Sequence, residues 1–306
     1  MITTICLNPA LDRTVTVASL VPGQLNRICS ARTDVGGKGV NVAVVCRRLG
    51  LEAQVIGCAG IDGYAKLRTA MEKEKVGYSF HTVEGAIRIN TKVVAQDGSI
   101  TELNEPGPTL TAEDMDVFFD LAIKKARESD LVVITGSLPP GCPADTYRSL
   151  IDVLAPARCI LDVSGTALKE GVKAKPFLIK PNHYELAATL GRELHTLEDI
   201  RSAAQIFADG GVEHVVVSMG KEGALYVGTE GCFYAPEIPV QVRSTVGAGD
   251  ALVGGVVAGL IKHSNMRDAF RCGVAAATSS VMTEGTQLII PSDYEHLLPQ
   301  VRLQEL

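Results

Sequence analysis

Short apolar runs rich in β-branched residues alternate with stretches of helical periodicity along almost the whole of this chain. The runs are Ile2–Leu7, Ala53–Cys58, Leu131–Thr135, Cys159–Val163, Phe177–Ile179 and His214–Ser218. Between or after them lie helical patterns near Val40–Leu49, Tyr64–Lys75, Ala112–Glu128, Ala144–Leu154, Leu197–Asp209, Ala251–Lys262 and Met266–Met282. Strands this apolar have no face to give to water. Their alternation with helices predicts an α/β fold with a parallel sheet covered on both sides. Two regions break the rhythm. Arg13–Asp34 carries no helix signal, and Ile87–Leu103 reads as a hairpin closed at Asp97-Gly98, a strong turn pair. Both are expected in a small separate β-sheet projecting from the α/β body.

The 306 residues suffice for one large domain or two small ones, with 46% hydrophobic residues to fill the core. Eight cysteines are scattered without a Cys-x-x-Cys pair, which points to reduced thiols in a cytosolic protein. The sequence opens directly on an apolar strand with no signal-peptide pattern, and no apolar run approaches the roughly 20 residues of a membrane span. A cytoplasmic protein with no membrane partner is expected. The net charge of −6 argues against nucleic acid as a partner. It also means that an anionic substrate needs a local cluster of Arg and Lys.

The chemistry concentrates in Ser244–Gly255. Gly247, Ala248 and Gly249 precede Asp250 at the head of a long apolar run. Small residues at a helix start let consecutive backbone N–H groups converge, and the helix dipole adds positive potential. That nest suits the charge developing on a transferring phosphoryl group, and Asp250 is placed to take a proton from an attacking hydroxyl.

Other motifs sit at strand ends, where open α/β sheets bind ligands. Asp12, in Asn8-Pro9-Ala10-Leu11-Asp12, can accept hydrogen bonds from sugar hydroxyls or serve as a turn residue. Gly36-Gly37-Lys38-Gly39-Val40-Asn41 fits neither the Walker loop nor the dinucleotide fingerprint. Its glycines still imply close backbone approach, with Lys38 for a phosphate and Asn41 for a sugar hydroxyl. Ser137, in the loop Gly136–Gly141, could donate to a substrate phosphate. In Lys180-Pro181-Asn182-His183-Tyr184-Glu185 the Asn182/Glu185 spacing suits both magnesium organisation and a helix capping box. Ser218, Gly220 and Gly223 could line a nucleotide path. Arg27 and Arg88 lie in the two segments that break the rhythm. With Lys38 they would supply the positive field that the net charge does not.

Taken together and in this order, the motifs resemble the ribokinase-like PfkB family of carbohydrate kinases from end to end. The resemblance implies a three-layer αβα body of one domain, residues 1–306. A β lid from about 13–34 and 87–104 would be inserted in it, with homodimers meeting through the lid. It implies Asp250 as base and Gly247, Ala248 and Gly249 as anion hole. Asp12, Gly37, Lys38 and Asn41 would hold the sugar, and Arg27, Arg88 and Ser137 its phosphate. Lys180, Asn182, Ser218, Gly220, Gly223 and Gly249 would line ATP, with Glu185 for Mg2+. Within the family the chain is similar to the sugar-phosphate branch, and Ile87–Lys92 with Glu102–Pro108 is most similar to 1-phosphofructokinases. That implies fructose 1-phosphate as substrate, with tagatose 6-phosphate and fructose 6-phosphate as alternatives. Ile87 departs from the threonine of many relatives, and Gly285–Leu288 is similar to the 6-phosphofructokinase branch. A non-catalytic sensor on the same fold would need a lost base or a broken anion hole, and both are intact.

Overall fold

In a computed structural model describing residues 1–306, strand β1 (Ile2–Cys6) runs into the middle of a ten-stranded sheet. The chain continues through β2 (Ala10–Val17), β3 (Ile28–Gly36), α1 (Lys38–Arg48), β4 (Ala53–Asp62), α2 (Tyr64–Lys73) and β5 (Gly77–Ala86). Next come β6 (Arg88–Ala95), β7 (Ile100–Asn104), α3 (Ala112–Ala126), β8 (Leu131–Thr135), α4 (Thr146–Leu154) and β9 (Cys159–Asp162). They are followed by α5 (Gly165–Gly171), β10 (Leu178–Ile179), α6 (His183–Leu190), α7 (Leu197–Asp209), β11 (His214–Ser218), β12 (Ala224–Gly228) and β13 (Gly231–Ala235). Helices α8 (Ala248–His263), α9 (Met266–Val281) and α10 (Pro291–Leu297) precede the last strand, β14 (Gln304–Glu305).

The large sheet has the order β14-β13-β12-β11-β10-β9-β8-β1-β4-β5. From β11 to β5 every neighbour is parallel, and β12, β13 and β14 add an antiparallel edge. Each parallel strand alternates its side chains between two cores, as both-face burial requires. Leu131 and Val133 enter one core, built with α1, α2, α8, α9 and α10. Val132 and Ile134 enter the other, built with α3 to α7. The result is the expected αβα sandwich.

The segments that break the rhythm form a second, four-stranded sheet in the order β3-β2-β6-β7. β2 runs parallel to β6 and pairs antiparallel with β3. The hairpin turns at Gly98, whose φ of 84° explains the Asp-Gly pair. Strand β5 and helices α5, α6 and α10 lie outside the six runs and seven helical patterns. β5 is half-exposed at the sheet edge, and the three helices span at most 8 residues, too short for a periodic signal.

Helix α8 is buried from Asp250 to Leu260, and its glycines explain how. A Cβ on Gly255 would fall 2.5 Å from the Cys272 carbonyl oxygen and 2.8 Å from Gly273 Cα of α9. These are backbone atoms that cannot turn aside. Gly255→Ala should therefore lower stability by about 1–2 kcal/mol, because overpacking outweighs the helix-propensity gain of roughly 1 kcal/mol. Urea unfolding checks this, and an unchanged or raised midpoint would refute the close-contact account.

Candidate active site

Strand order reverses between β1 and β8, so the connections leaving their carboxyl ends diverge and leave a crevice. A polar cleft of about 470 Å³ opens there, lined by both sheets and by the start of α8. On one wall Asp12 of β2 stands opposite Asn90 of β6, and Asn90 Nδ2 donates to Asp12 Oδ1 at 3.0 Å. Burial pushes the Asp12 carboxyl up, opposed by that hydrogen bond and by Lys92 and Arg88. Gly36 makes room for Asp12, since a Cβ there would lie 2.1 Å from its Oδ2. Arg88 Nε donates to the Asn8 carbonyl at 3.2 Å, and Asn8 Nδ2 donates to Ser137 Oγ at 3.3 Å. These contacts join the small sheet to the ends of β1 and β8.

Three of the signature glycines answer to the protein itself. A Cβ on Gly37, where φ is 105°, would sit 3.0 Å from Pro9 Cα, and one on Gly39 would sit 2.7 Å from Cys6 Cβ. With Gly36 they let α1 start hard against β1. That presents Lys38 and Asn41 to the cleft.

Asp250 occupies the first turn of α8, 6% exposed, and accepts a hydrogen bond from Asn41 Nδ2 at 2.7 Å. Burial raises its pKa to about 6, with Asp162 adding to the rise and Lys38, Asn41 and Lys180 opposing it. The backbone N–H groups of Gly249 and Asp250 have no acceptor in the chain, whereas Ala248 N–H bonds the Thr245 carbonyl at 3.4 Å. Two free donors and a helix N-terminus thus face the same cleft as the Asp250 carboxyl.

Beneath the cleft lies a residue that sequence reasoning assigned nothing. Asp162 closes β9 and is 1% exposed. Its Oδ1 lies 3.1 Å from Lys180 Nζ and 3.6 Å from Lys38 Nζ. Burial would raise the Asp162 pKa, but the two ammonium groups override it and hold the carboxyl below its ordinary value. Asp162 in turn raises the Lys38 pKa. A lone acid ending an apolar run is the signal that could have found it.

On the far wall Asn182 and Glu185 form a full capping box. Asn182 Oδ1 accepts from Glu185 N–H and Glu185 Oε2 from Asn182 N–H, both at 2.8 Å. Both residues, with Ser218, line the cleft, and Glu185 Oε1 has no partner within the chain. The cleft also gathers Asn90, Lys92, Glu102 and Asn104, which the sequence reading left unassigned. They meet through strand register, Lys92 opposite Glu102 and Asn90 opposite Asn104.

Arg27, Ala248, Gly220 and Gly223 do not line the cleft. Gly223 serves packing, because a Cβ there would fall 2.0 Å from the Ala235 carbonyl oxygen. Arg27 is exposed just before β3, whose Ile28 pairs with Val17, while the cleft end of the same ladder is Gly36 with Ala10. At about 3.3 Å per residue Arg27 is roughly 30 Å along the strand from Gly36, and about 16 Å beyond Arg32, the level that Lys92 reaches through Thr14.

The chain belongs to the PfkB family of carbohydrate kinases, whose family model matches residues 6–293. It is accordingly a phosphotransferase. It is 34% identical to the 1-phosphofructokinase of Bacillus subtilis over 310 residues, covering 100% of both chains. Among solved structures it resembles phosphofructokinase-2 from Escherichia coli in complex with fructose-6-phosphate, with a TM-score of 0.88, 30% identity and 98% of each chain covered. Ribokinase from Thermotoga maritima shares the fold, with a TM-score of 0.83 at 23% identity over 98% of this chain and 99% of that one.

Proposed function

We propose that this protein transfers the γ-phosphoryl group of ATP to the free primary hydroxyl of a ketohexose phosphate, fructose 1-phosphate giving fructose 1,6-bisphosphate. The observation that carries the reading is Asp250, a buried carboxylate raised to about 6 beside two free N–H donors and two ammonium groups. Asp250 takes the proton as the hydroxyl oxygen bonds to phosphorus. The bond from phosphorus to the β–γ bridging oxygen breaks, and ADP leaves. The N–H groups of Gly249 and Asp250, with Lys38 and Lys180, face the charge spread over the transferring group. Asp12, Gly37 and Asn41 hold the sugar, and Arg88 and Ser137 its phosphate. Asn182 and Ser218 line the nucleotide.

Magnesium fits the donors present. Such ions are held by one or two carboxylates plus substrate phosphates, and Glu185 Oε1 is free to supply one contact. When bound, the ion neutralises phosphate charge. The two-stranded ladders of the small sheet would close over the sugar as a lid that keeps water out.

The lid also bears Leu25, Ile28, Ile100 and Leu103, all more than half exposed. An apolar surface of that kind supports a homodimer through the lids. An Arg27 contact to substrate phosphate would then come from the other copy. Ile28→Asp should convert dimer to monomer by light scattering, and a monomeric parent protein would end this part of the reading. All eight cysteines are free thiols, in keeping with a cytoplasmic location. No helix is long and apolar enough to cross a membrane.

Fructose 1-phosphate and fructose 6-phosphate each carry one phosphate and one free primary hydroxyl. The likeness to a structure holding fructose-6-phosphate therefore makes that sugar the second candidate. ADP release with ATP and magnesium should favour fructose 1-phosphate by at least about tenfold in kcat/KM over fructose 6-phosphate, tagatose 6-phosphate and fructose. Asp250→Asn should cost on the order of 10²–10⁴ in turnover. In the parent protein kcat/KM should fall as pH drops through about 6, where Asp250 becomes protonated. Preference for another sugar would refute the substrate, and near-normal turnover of Asp250→Asn would refute the base.

A further inference from the structure

The transfer described above uses Lys38, Lys180 and Asp250 but not the carboxylate buried beneath them. We propose that Asp162 is a positioning residue: it holds the two ammonium groups at the cleft floor and keeps them from pairing with Asp250. The inference rests on the reading of Asp250 as base.

Asp162 does not itself line the cleft. Its backbone ends β9 at the carboxyl edge of the sheet, and the single Thr135 hydroxyl lies against two of its oxygens. Thr135 Oγ1 lies 2.8 Å from the Asp162 carbonyl oxygen and 3.1 Å from its Oδ2. With Oδ2 anchored, Oδ1 is left to the ammonium groups of Lys180 and Lys38 alone, at 3.1 and 3.6 Å. Each contact is an ion pair to the same oxygen, and an ammonium group has three N–H donors, so those not turned to Oδ1 stay available to the cleft. Two like charges gathered at one oxygen need the negative charge between them to stay together.

The groups facing Asp250 come from three elements. Lys38 and Asn41 belong to α1, Asp162 ends β9, and Lys180 follows β10. With Asp162 ionised, Asp250 sees two positive charges and one negative. Without it, Asp250 sees two unopposed ammonium groups, becomes the anion they pair with, and is a weaker base. Asp162 thereby separates two tasks: the lysines serve phosphate while Asp250 stays free to accept a proton.

The test is the pH profile of kcat/KM for fructose 1-phosphate. Asp162→Asn should lower kcat on the order of 10–100-fold, more than it raises either KM, as expected for misplaced cationic groups. Its acid limb should move about one pH unit lower than in the parent protein. A residue that only braced the fold would lower the melting temperature and leave the limb in place. If the single variant is too unstable to assay, the comparison moves to Lys180→Met, where removing Asp162 leaves only one ammonium group uncompensated. Adding Asp162→Asn to Lys180→Met should again shift the limb to lower pH. An unmoved limb in the assayable background overturns the proposal. Near-normal activity of Asp250→Asn would instead show that the limb belongs to another group and that the base reading failed.

Discussion

Between β1 and β8 the chain stops extending the sheet on one side and begins on the other, and the connections at the carboxyl ends of those strands part. Most of the candidate site follows from that reversal. Asn8 leaves β1, Ser137 follows β8, Asp162 ends β9, Lys180 follows β10, and Ser218 ends β11. Residues distant in sequence thus meet along one edge, each held by a strand buried on both faces. Helix α8 then points its N-terminus at the same edge because Gly254, Gly255 and Gly259 let it pack closely against α1 and α9.

Placing Asp250 there has an energetic cost. Its folded pKa of about 6 exceeds the ordinary 3.8, so the folded state holds this proton more tightly than the unfolded chain does. The contribution favours folding below the unfolded pKa and is lost as pH rises through the window up to about 6. Ionising Asp250 near neutral pH therefore costs about 3 kcal/mol of stability. The same cost makes its carboxylate a ready proton acceptor. Asp162 shows the opposite behaviour because two ammonium groups lie against it.

Much of this was legible in the sequence. Apolar runs marked the parallel strands, and the Gly/Asp/Lys motifs at their ends marked the cleft, since strand ends are where such sheets bind ligands. Asn182 and Glu185 were readable as a capping box from spacing alone, and the structure forms it. Other features depend on three-dimensional neighbours. Asp162 looks like an ordinary strand terminus until two lysines from elsewhere converge on it. Lys92, Glu102 and Asn104 enter the cleft through ladder register, which no local pattern encodes. The glycine signature implied a close backbone approach, and what Gly37 and Gly39 approach is the backbone and side chains of their own fold. Strand length, invisible to motif reading, carries Arg27 away from the cleft of its own chain.

One buried charge set holds two aspartates in opposite protonation regimes. Carbon-13 titration of the aspartate carboxyls, with Asp250→Asn and Asp162→Asn used to assign the two signals, tests it most directly. Asp250 should titrate near pH 6 while Asp162 stays ionised below the ordinary carboxylate range. An Asp250 carboxyl titrating at its ordinary value, or an Asp162 that protonates alongside it, would contradict the account.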